Sequence, residues 1–312
     1  MNIMNKTQVT MFEFSGLSDN KKLAPFLFFF FLLVYAVTVL GNVGMIFVVH
    51  AFSSLHTPMY FFLNYLSLVD FFYASTLTPK MLSDLISEKR SISFVGCAIQ
   101  FFFFAALAST EVFILSCMAY DRYAAICHPL HYVLIMTKKK CWCLVLFSFC
   151  IGFCQAVVPT SCVFNLQFCR SNLINHYYCD IPPLLQLACS NPHLCYILIN
   201  VFVCLCTISS MVIILVSYMH IISSILKMKT FKSQRKAFST CSSHLICSTM
   251  FYVTVFINYF SSSSDSFEKH DRSVTVFYSL VTPMLNPLIY SLRNQEVKRV
   301  IMQIVRRHQS QK

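Results

Sequence analysis

The stretch FVGCAIQFFFFAALASTEVFILSCMAY, residues 94–120, carries a single formal charge, Glu111, and runs straight into Asp121-Arg122-Tyr123. A hydrocarbon layer about 30 Å thick is crossed by about 20 helical residues, so this stretch predicts a membrane-spanning helix ending at a polar tripeptide. Working outward, six further apolar stretches of spanning length appear: Pro25–Val49, Pro58–Leu82, Cys141–Val158, Tyr196–Ile222, Ser239–Phe260 and Val274–Leu292. The fourth in chain order, Cys141–Val158, is the shortest. The last contains Pro283 and Pro287, which a membrane helix tolerates when neighbours re-satisfy the freed carbonyls. The expected fold is an all-α membrane protein, a bundle of seven transmembrane helices. Composition agrees. Of 312 residues, 57% are hydrophobic and 12% charged, whereas soluble domains are about a quarter charged. Such a chain lacks the polar surface to cover itself in water, which excludes a soluble enzyme, a disordered tail and a DNA-binding domain.

Lys and Arg give the orientation. Nine lie in segments on the N-terminal side of the spans and fifteen on the other, whereas eight acids lie on the first side and only Asp121 and Glu296 on the second. The N-terminus is therefore expected outside and the C-terminus inside. The net charge of +12 reads as a positive-inside signal, helped by attraction to anionic inner-leaflet lipids, and needs no nucleic acid to explain it. Residues 1–24 form an extracellular segment without the apolar region of a cleaved signal peptide, 25–292 the transmembrane domain, and 293–312 a cytoplasmic tail. The first span then acts as its own insertion signal. Asn5-Lys6-Thr7 fits the glycosylation pattern. Basic residues through Lys298–Arg307, alternating with Val297, Val300, Ile301, Ile304 and Val305, predict a short amphipathic helix on the inner membrane surface after the seventh span. Lys138-Lys139-Lys140 reads as an inner-leaflet anchor, and Lys227–Lys236 partly so.

Chemistry-bearing residues are few. Asp70 and Glu111 are the two acids inside spans, and intramembrane charge usually faces the bundle interior. Helical rise places Glu111 about 16 Å from Arg122 and Asp70 about 18 Å from Pro58, so the two share a depth. Six of the 16 cysteines fall at the outer edge or in the long outer loop: Cys97, Cys162, Cys169, Cys179, Cys189 and Cys195. Spacing alone leaves their pairing open among fifteen arrangements. His176 beside Cys179 has the look of a metal fragment, but a lone His more often caps a loop. There is no internal repeat of the kind that builds transporters, no intramembrane Lys or Arg to line a path, and no nucleophile–base or H-E-x-x-H pattern. A transporter or channel and an enzyme are thus disfavoured, and no cofactor is expected.

Asp121-Arg122-Tyr123 at the inner end of the third span and Asn286-Pro287-Leu288-Ile289-Tyr290 at that of the seventh resemble rhodopsin-like G-protein-coupled receptors. Longer strings are more specific. Leu55-His56-Thr57-Pro58-Met59-Tyr60, the run Met118–Tyr132, Lys236-Ala237-Phe238-Ser239-Thr240-Cys241-Ser242-Ser243-His244-Leu245, and Pro283–Asn294 resemble the signatures of vertebrate odorant receptors of the tetrapod type, in order over essentially the whole chain. Two departures stand out: Ala124 where Val is usual, and Phe251-Tyr252-Val253 where the family reads Phe-Tyr-Gly, which removes a flexible point beside Tyr252.

The resemblance implies a receptor that binds a small volatile odorant between its helices and activates a Gs/Golf-type G protein, raising cyclic AMP, in the plasma membrane of olfactory sensory cilia. It implies disulfides Cys97–Cys179 and Cys169–Cys189, and a sodium or water site at Asp70 and Glu111, in a polar cluster with Asn42, Ser67 and Asn286. Coupling falls to Asp121, Arg122, Tyr123, Tyr218, Asn286, Pro287 and Tyr290, with Asp121 holding Arg122 until release. The ligand site is expected in the outer half of the bundle, walled by spans three, five, six and seven. On span three, Phe104, Ala105, Ala108 and Ser109 share a face; Phe202, Cys206, Tyr252, Val255, Phe256 and Tyr259 on spans five and six and Ser279 on span seven complete it. Phe101–Phe104 stand where amine receptors place an Asp, so the ligand is expected to be small, neutral and largely apolar.

Overall fold

The computed structural model describes residues 9–17, 22–169, 171–260, 276–293, 297–300 and 302. The longer helices of the described residues are α1 (Ala24–Ala51), α2 (Pro58–Ile86), α3 (Phe94–Cys127), α4 (Lys138–Phe164), α5 (His193–Leu226), α6 (Phe231–Phe260) and α7 (Thr282–Arg293), with short helical segments at Tyr132–Ile135 and Ile181–Leu187 between them. By length and composition, α1, α3, α4 and α5 are long and apolar enough to cross a membrane. Their apolarity is not spent on the interior. Only 22% of the most apolar window of α1 and 17% of that of α5 is buried, and Phe26, Phe29, Leu33, Leu40 and Phe47 stand exposed along α1. Water would not tolerate such a surface, so the chain is a helical membrane protein.

The helix ends follow local chemistry. Pro occupies the first turn of α1 and of α2, where its missing N–H costs nothing. Ser93 caps α3 by accepting from Gly96 N, and Thr137 caps α4 by accepting from Lys140 N. α4 continues through Pro159 to Phe164, beyond the expected end at Val158. α6 begins at Phe231, ahead of the expected Ser239, because an apolar-length criterion does not see polar helical turns that extend past a membrane. α7 is preceded by a π-helical turn, Phe277–Val281.

α3 is the central post, buried along Ala106, Leu107 and Thr110 to Ala119. Its approach to α4 is close at Gly152, where a Cβ would lie 2.7 Å from the Ala106 carbonyl and 2.8 Å from Thr110 N. Only glycine fits there. α1 meets α7 similarly, with a Cβ at Gly41 falling 3.1 Å from Pro287.

The all-α expectation needs one correction. A three-stranded sheet sits at one end of the bundle, with β1 (Met11–Phe14) between antiparallel β2 (Ser91–Ser93) and parallel β3 (Leu173–Ile174). The alternation in β1 buries Phe12 and Phe14 and clamps the N-terminal segment over the helix ends. Lys80 pairs with Asp84 and lies over the Phe14 ring, while Arg90 donates to the Ser15 carbonyl at 2.7 Å. Of the amphipathic helix expected after the seventh span, the described residues show one helical turn with Val297 and Val300 buried against the main core.

Candidate functional site: a cavity under the long loop and a polar core beneath it

Near the sheet end, α3, α4, α5 and α6 splay around a cavity of about 150 Å³, a space of the order that holds a benzene-sized molecule. Phe104, Ala105, Ala108 and Ser109 line it from α3, as their spacing predicts, with Cys206 from α5 and Val255 from α6. The remaining expected residues are placed elsewhere. Phe202 is 37% exposed and Phe256 61% exposed, both on the outside of the bundle. On α5 the lining stripe runs Tyr196, Ile199, Asn200, Val203, Cys206, Thr207, and Phe202 falls to one side of it. Phe256 is one residue beyond Val255, about 100° around the helix. Tyr252 misses the cavity likewise: its hydroxyl donates to Ser210 Oγ at 2.8 Å, tying α6 to α5. Ser279 shares a 2.8 Å hydrogen bond with the Tyr177 hydroxyl and so anchors the loop rather than lining the cavity. The side chain of Tyr259 and all of Asn5 lie outside the described residues.

Sequence reasoning missed a wall. α4 contributes Gln155, Ala156 and Pro159, and the loop after it contributes Tyr178, Asp180 and Ile181. A glutamine in an apolar span, one turn from a proline, was the available signal. Among the described residues the lining holds no Lys, Arg or His, and its one acid, Asp180, is already engaged. Its Oδ2 accepts from the Tyr178 hydroxyl at 2.9 Å and its Oδ1 from Ile181 N at 2.8 Å. Burial, then the Asp180 charge, hold the Tyr178 phenol well above its ordinary pKa, so it stays a neutral donor. Asn200 donates to the Tyr196 carbonyl at 2.8 Å and Gln155 to the Phe202 carbonyl at 3.5 Å. The result is a mainly apolar chamber whose polar wall groups are neutral apart from the engaged Asp180 carboxylate.

The roof is covalently fixed. Cys97 at the start of α3 is joined to Cys179, and Cys169 to Cys189, with Cα separations of 5.7 and 5.8 Å. Cys179 N also donates to Gln100 Oε1 at 3.2 Å. Tyr178 then packs on Phe104, ring centroids 5.1 Å apart. His176 lies buried between the Tyr177 and Tyr178 rings, centroids 4.6 and 4.5 Å away, and no cluster among the described residues has the makings of a metal site.

Deeper in the bundle, Asn286 donates to Asp70 Oδ2 at 3.0 Å and to Glu111 Oε1 at 3.3 Å, uniting α2, α3 and α7. Ser67 is buried on the same helix as Asp70. Asn42 instead donates to the Thr38 and Pro283 carbonyls at 3.0 and 3.1 Å, bracing α1 against α7 without bonding either acid. Asp70 Oδ1 has no hydrogen-bond partner among the described residues.

At the far end, Asp121 and Arg122 are not ion-paired: among the described residues the one salt bridge is Lys80–Asp84. Asp121 accepts instead from the Tyr132 hydroxyl at 2.8 Å. Tyr132 lies in a helical turn after α3, and burial followed by the Asp121 charge raises its pKa, so it remains the donor. Arg122 reaches Met59 Sδ. Tyr123 shares a 3.1 Å hydrogen bond with His128. Tyr218 stacks on His244, 2.9 Å from its Nδ1, while His244 Nε2 is 2.9 Å from the Leu115 carbonyl. Tyr290 and Pro287 are buried in α7. His244 thus fastens α6 to α3 and α5, a role the sequence reading did not assign.

A cavity roofed by a disulfide-tied loop, a polar core, and an Arg–Tyr–His constellation at the opposite end thus stand in one helical membrane protein. A family profile described as olfactory receptor matches residues 31–308. Olfactory receptor 5AP2 of Mus musculus is 50% identical over 301 residues, covering 96% of this chain and 95% of its own length. Olfactory receptor 5AP2 of Homo sapiens is 47% identical over 304 residues (97% and 96%), and olfactory receptor 5B12 of Homo sapiens 47% over 294 residues (94% of each). The chain belongs to the olfactory receptor family, and with it to the odorant-binding G-protein-coupled receptors rather than to an enzyme class.

Proposed function

We propose that the chain is a seven-span receptor, N-terminus outside, that binds a small, neutral, mostly apolar odorant in the α3–α6 chamber. On binding it activates a Gs/Golf-type G protein and raises cyclic AMP, in the plasma membrane of olfactory cilia. One observation supports the ligand class above all others: among the described residues the chamber wall carries no cation, and its single carboxylate already has two donors. A charged ligand would leave its counter-ion in water and find none here, a cost no apolar contact offsets. The positive-inside charge pattern supports the orientation, in which the sheet end faces out, residues 293–312 form the inner tail and Asn5 is available for glycosylation.

The ligand biases a two-state bundle. In the state it favours, the inner ends of α5 and α6 swing away and admit the C-terminal helix of the Gα subunit against Arg122, with Tyr218 and Tyr290 rearranging as its partners. The Asp70–Asn286–Glu111 core is the hinge region between chamber and coupling end. The orphaned Asp70 Oδ1 suits a sodium ion or a water, held by Asp70 and Glu111.

The test is an odorant panel on cells co-expressing the receptor and a Gs-type α subunit. Neutral alcohols, ketones and esters should raise cyclic AMP; a response confined to polyamines or amino acids overturns the reading. Ala108→Phe fills the chamber from α3. It should raise the half-maximal concentration of every agonist about tenfold or more, equivalent to about 1.4 kcal/mol, at unchanged surface level.

Restraint of the inactive state should not depend on an ion pair between Arg122 and α6, since Lys227–Leu245 contains no acid. Alanine scanning of that stretch should leave basal cyclic AMP unchanged at every charged position. His244 is the exception the hydrogen bonds single out, and His244→Ala should raise it. A lysine or arginine in the stretch whose loss raises basal signalling as much as His244→Ala would count against this account.

A further inference from the structure

We propose that Cys162 and Cys195 form a third disulfide, joining the outer end of α4 to the outer end of α5 at the mouth of the odorant chamber. Cys162 stands in the last turn of α4 and Cys195 in the first turn of α5. Cys195 is buried in the same apolar cluster as the Cys97–Cys179 bridge, and Cys162 packs against that cluster. The two thiols are close enough to interact, since burial and then Cys162 push the Cys195 thiol up. Both stand as free thiols in the structure. Of the twelve cysteines outside the two loop disulfides, these are the two that fall outside the proposed spans on the side where those disulfides form.

The inference rests on the N-terminus-outside orientation proposed above, which puts this end in the oxidising secretory lumen during synthesis. The oxidant is a disulfide, either glutathione disulfide or the active-site disulfide of a lumenal thiol oxidoreductase. One receptor thiolate attacks it, forming a mixed disulfide and releasing one thiol. The second receptor thiolate then attacks the mixed disulfide, forming the Cys162–Cys195 bond and releasing the other thiol. Two electrons and two protons pass from the cysteine pair to the oxidant, whose own S–S bond is broken.

The bond would have a consequence for binding. Pro159 and Tyr196 line the chamber and stand three residues before Cys162 and directly after Cys195. A cross-link there fixes the α4–α5 rim as the loop disulfides fix the roof, leaving α6 as the freer wall.

The experiment uses full-length receptor from cell membranes, denatured in N-ethylmaleimide, digested without reduction and mapped by mass spectrometry. A Cys162–Cys195 peptide pair that separates on reduction is the expected result, and in Cys195→Ser receptor Cys162 should pass to the alkylated form. Alkylation of both residues in wild-type receptor whose Cys97–Cys179 pair is intact overturns the cross-link and leaves the orientation standing. Alkylation of all six outer cysteines overturns both. A link from Cys162 or Cys195 to Cys169 or Cys189 also overturns the proposal.

Discussion

Arg122→Ala is expected to abolish the odorant-evoked cyclic AMP rise at every ligand concentration while surface delivery stays near the wild-type level. The separation of the two readouts follows from the contacts. Arg122 is half-buried at the end of α3, makes no ion pair among the described residues, and contacts the Met59 sulfur. Removing it therefore breaks no buried charge pair, the kind of loss that costs several kcal/mol. Its neighbours keep their own partners, Asp121 with Tyr132 and Tyr218 with His244. What the substitution removes is the one cation in the middle of the constellation that the proposed Gα helix meets. Arg122→Lys keeps the charge but not the planar fork, so it should recover only part of the response. Wild-type cyclic AMP from Arg122→Ala receptor would remove Arg122 from the coupling mechanism, and loss of surface protein would mean that it has a folding role instead.

Much of this architecture is legible in the sequence because bilayer thickness imposes a length on apolar runs. The helices α1 to α5 begin within a few residues of the apolar stretches that announce them. Helix limits set by polar turns are less legible: α3 runs on to Cys127, α4 to Phe164, and α6 begins as early as Phe231. The sheet was not legible at all. Met11–Phe14 is four residues long, and its partners, Ser91–Ser93 and Leu173–Ile174, lie far away in sequence, so no local periodicity marks it. The chamber divides in the same way. The α3 face follows from spacing alone, whereas rotation of α5 and α6 about their axes decides whether Phe202 or Val203, Phe256 or Val255, looks inward. That rotation is fixed by contacts such as Tyr252 with Ser210, between helices remote in sequence. Gln155 escaped notice because no wall was assigned to span four, and Asn200 because α5 was read by its Phe202 face. The Asp70–Glu111 pairing, by contrast, follows from depth, and Asn286 completes it.

Cys97→Ser and Cys179→Ser are each expected to hold the receptor inside the cell, cutting surface protein to a small fraction of wild type. The bridge spans 82 residues of sequence, so the crosslink constrains a long loop of unfolded chain; loss of such a bond costs about 2–5 kcal/mol in small secreted domains. Folded domains have a net stability of only about 5–15 kcal/mol, so a loss of that size exposes a large share of molecules to quality control. The damage is also local. Cys97 and Cys179 are fully buried, and either serine would place a hydroxyl among Phe12, Phe101, Phe168 and Leu184, where few partners await it. Tyr178, one residue from the bridge, would lose its fixed seat over Phe104 and with it the roof of the chamber. Cys97→Ala, which deletes the bond without adding a polar group, separates the two causes. If both serine variants are retained and the alanine variant reaches the surface, buried polarity is responsible. If all three are retained, the bond itself is required, and normal delivery of all three would deny it any part in folding.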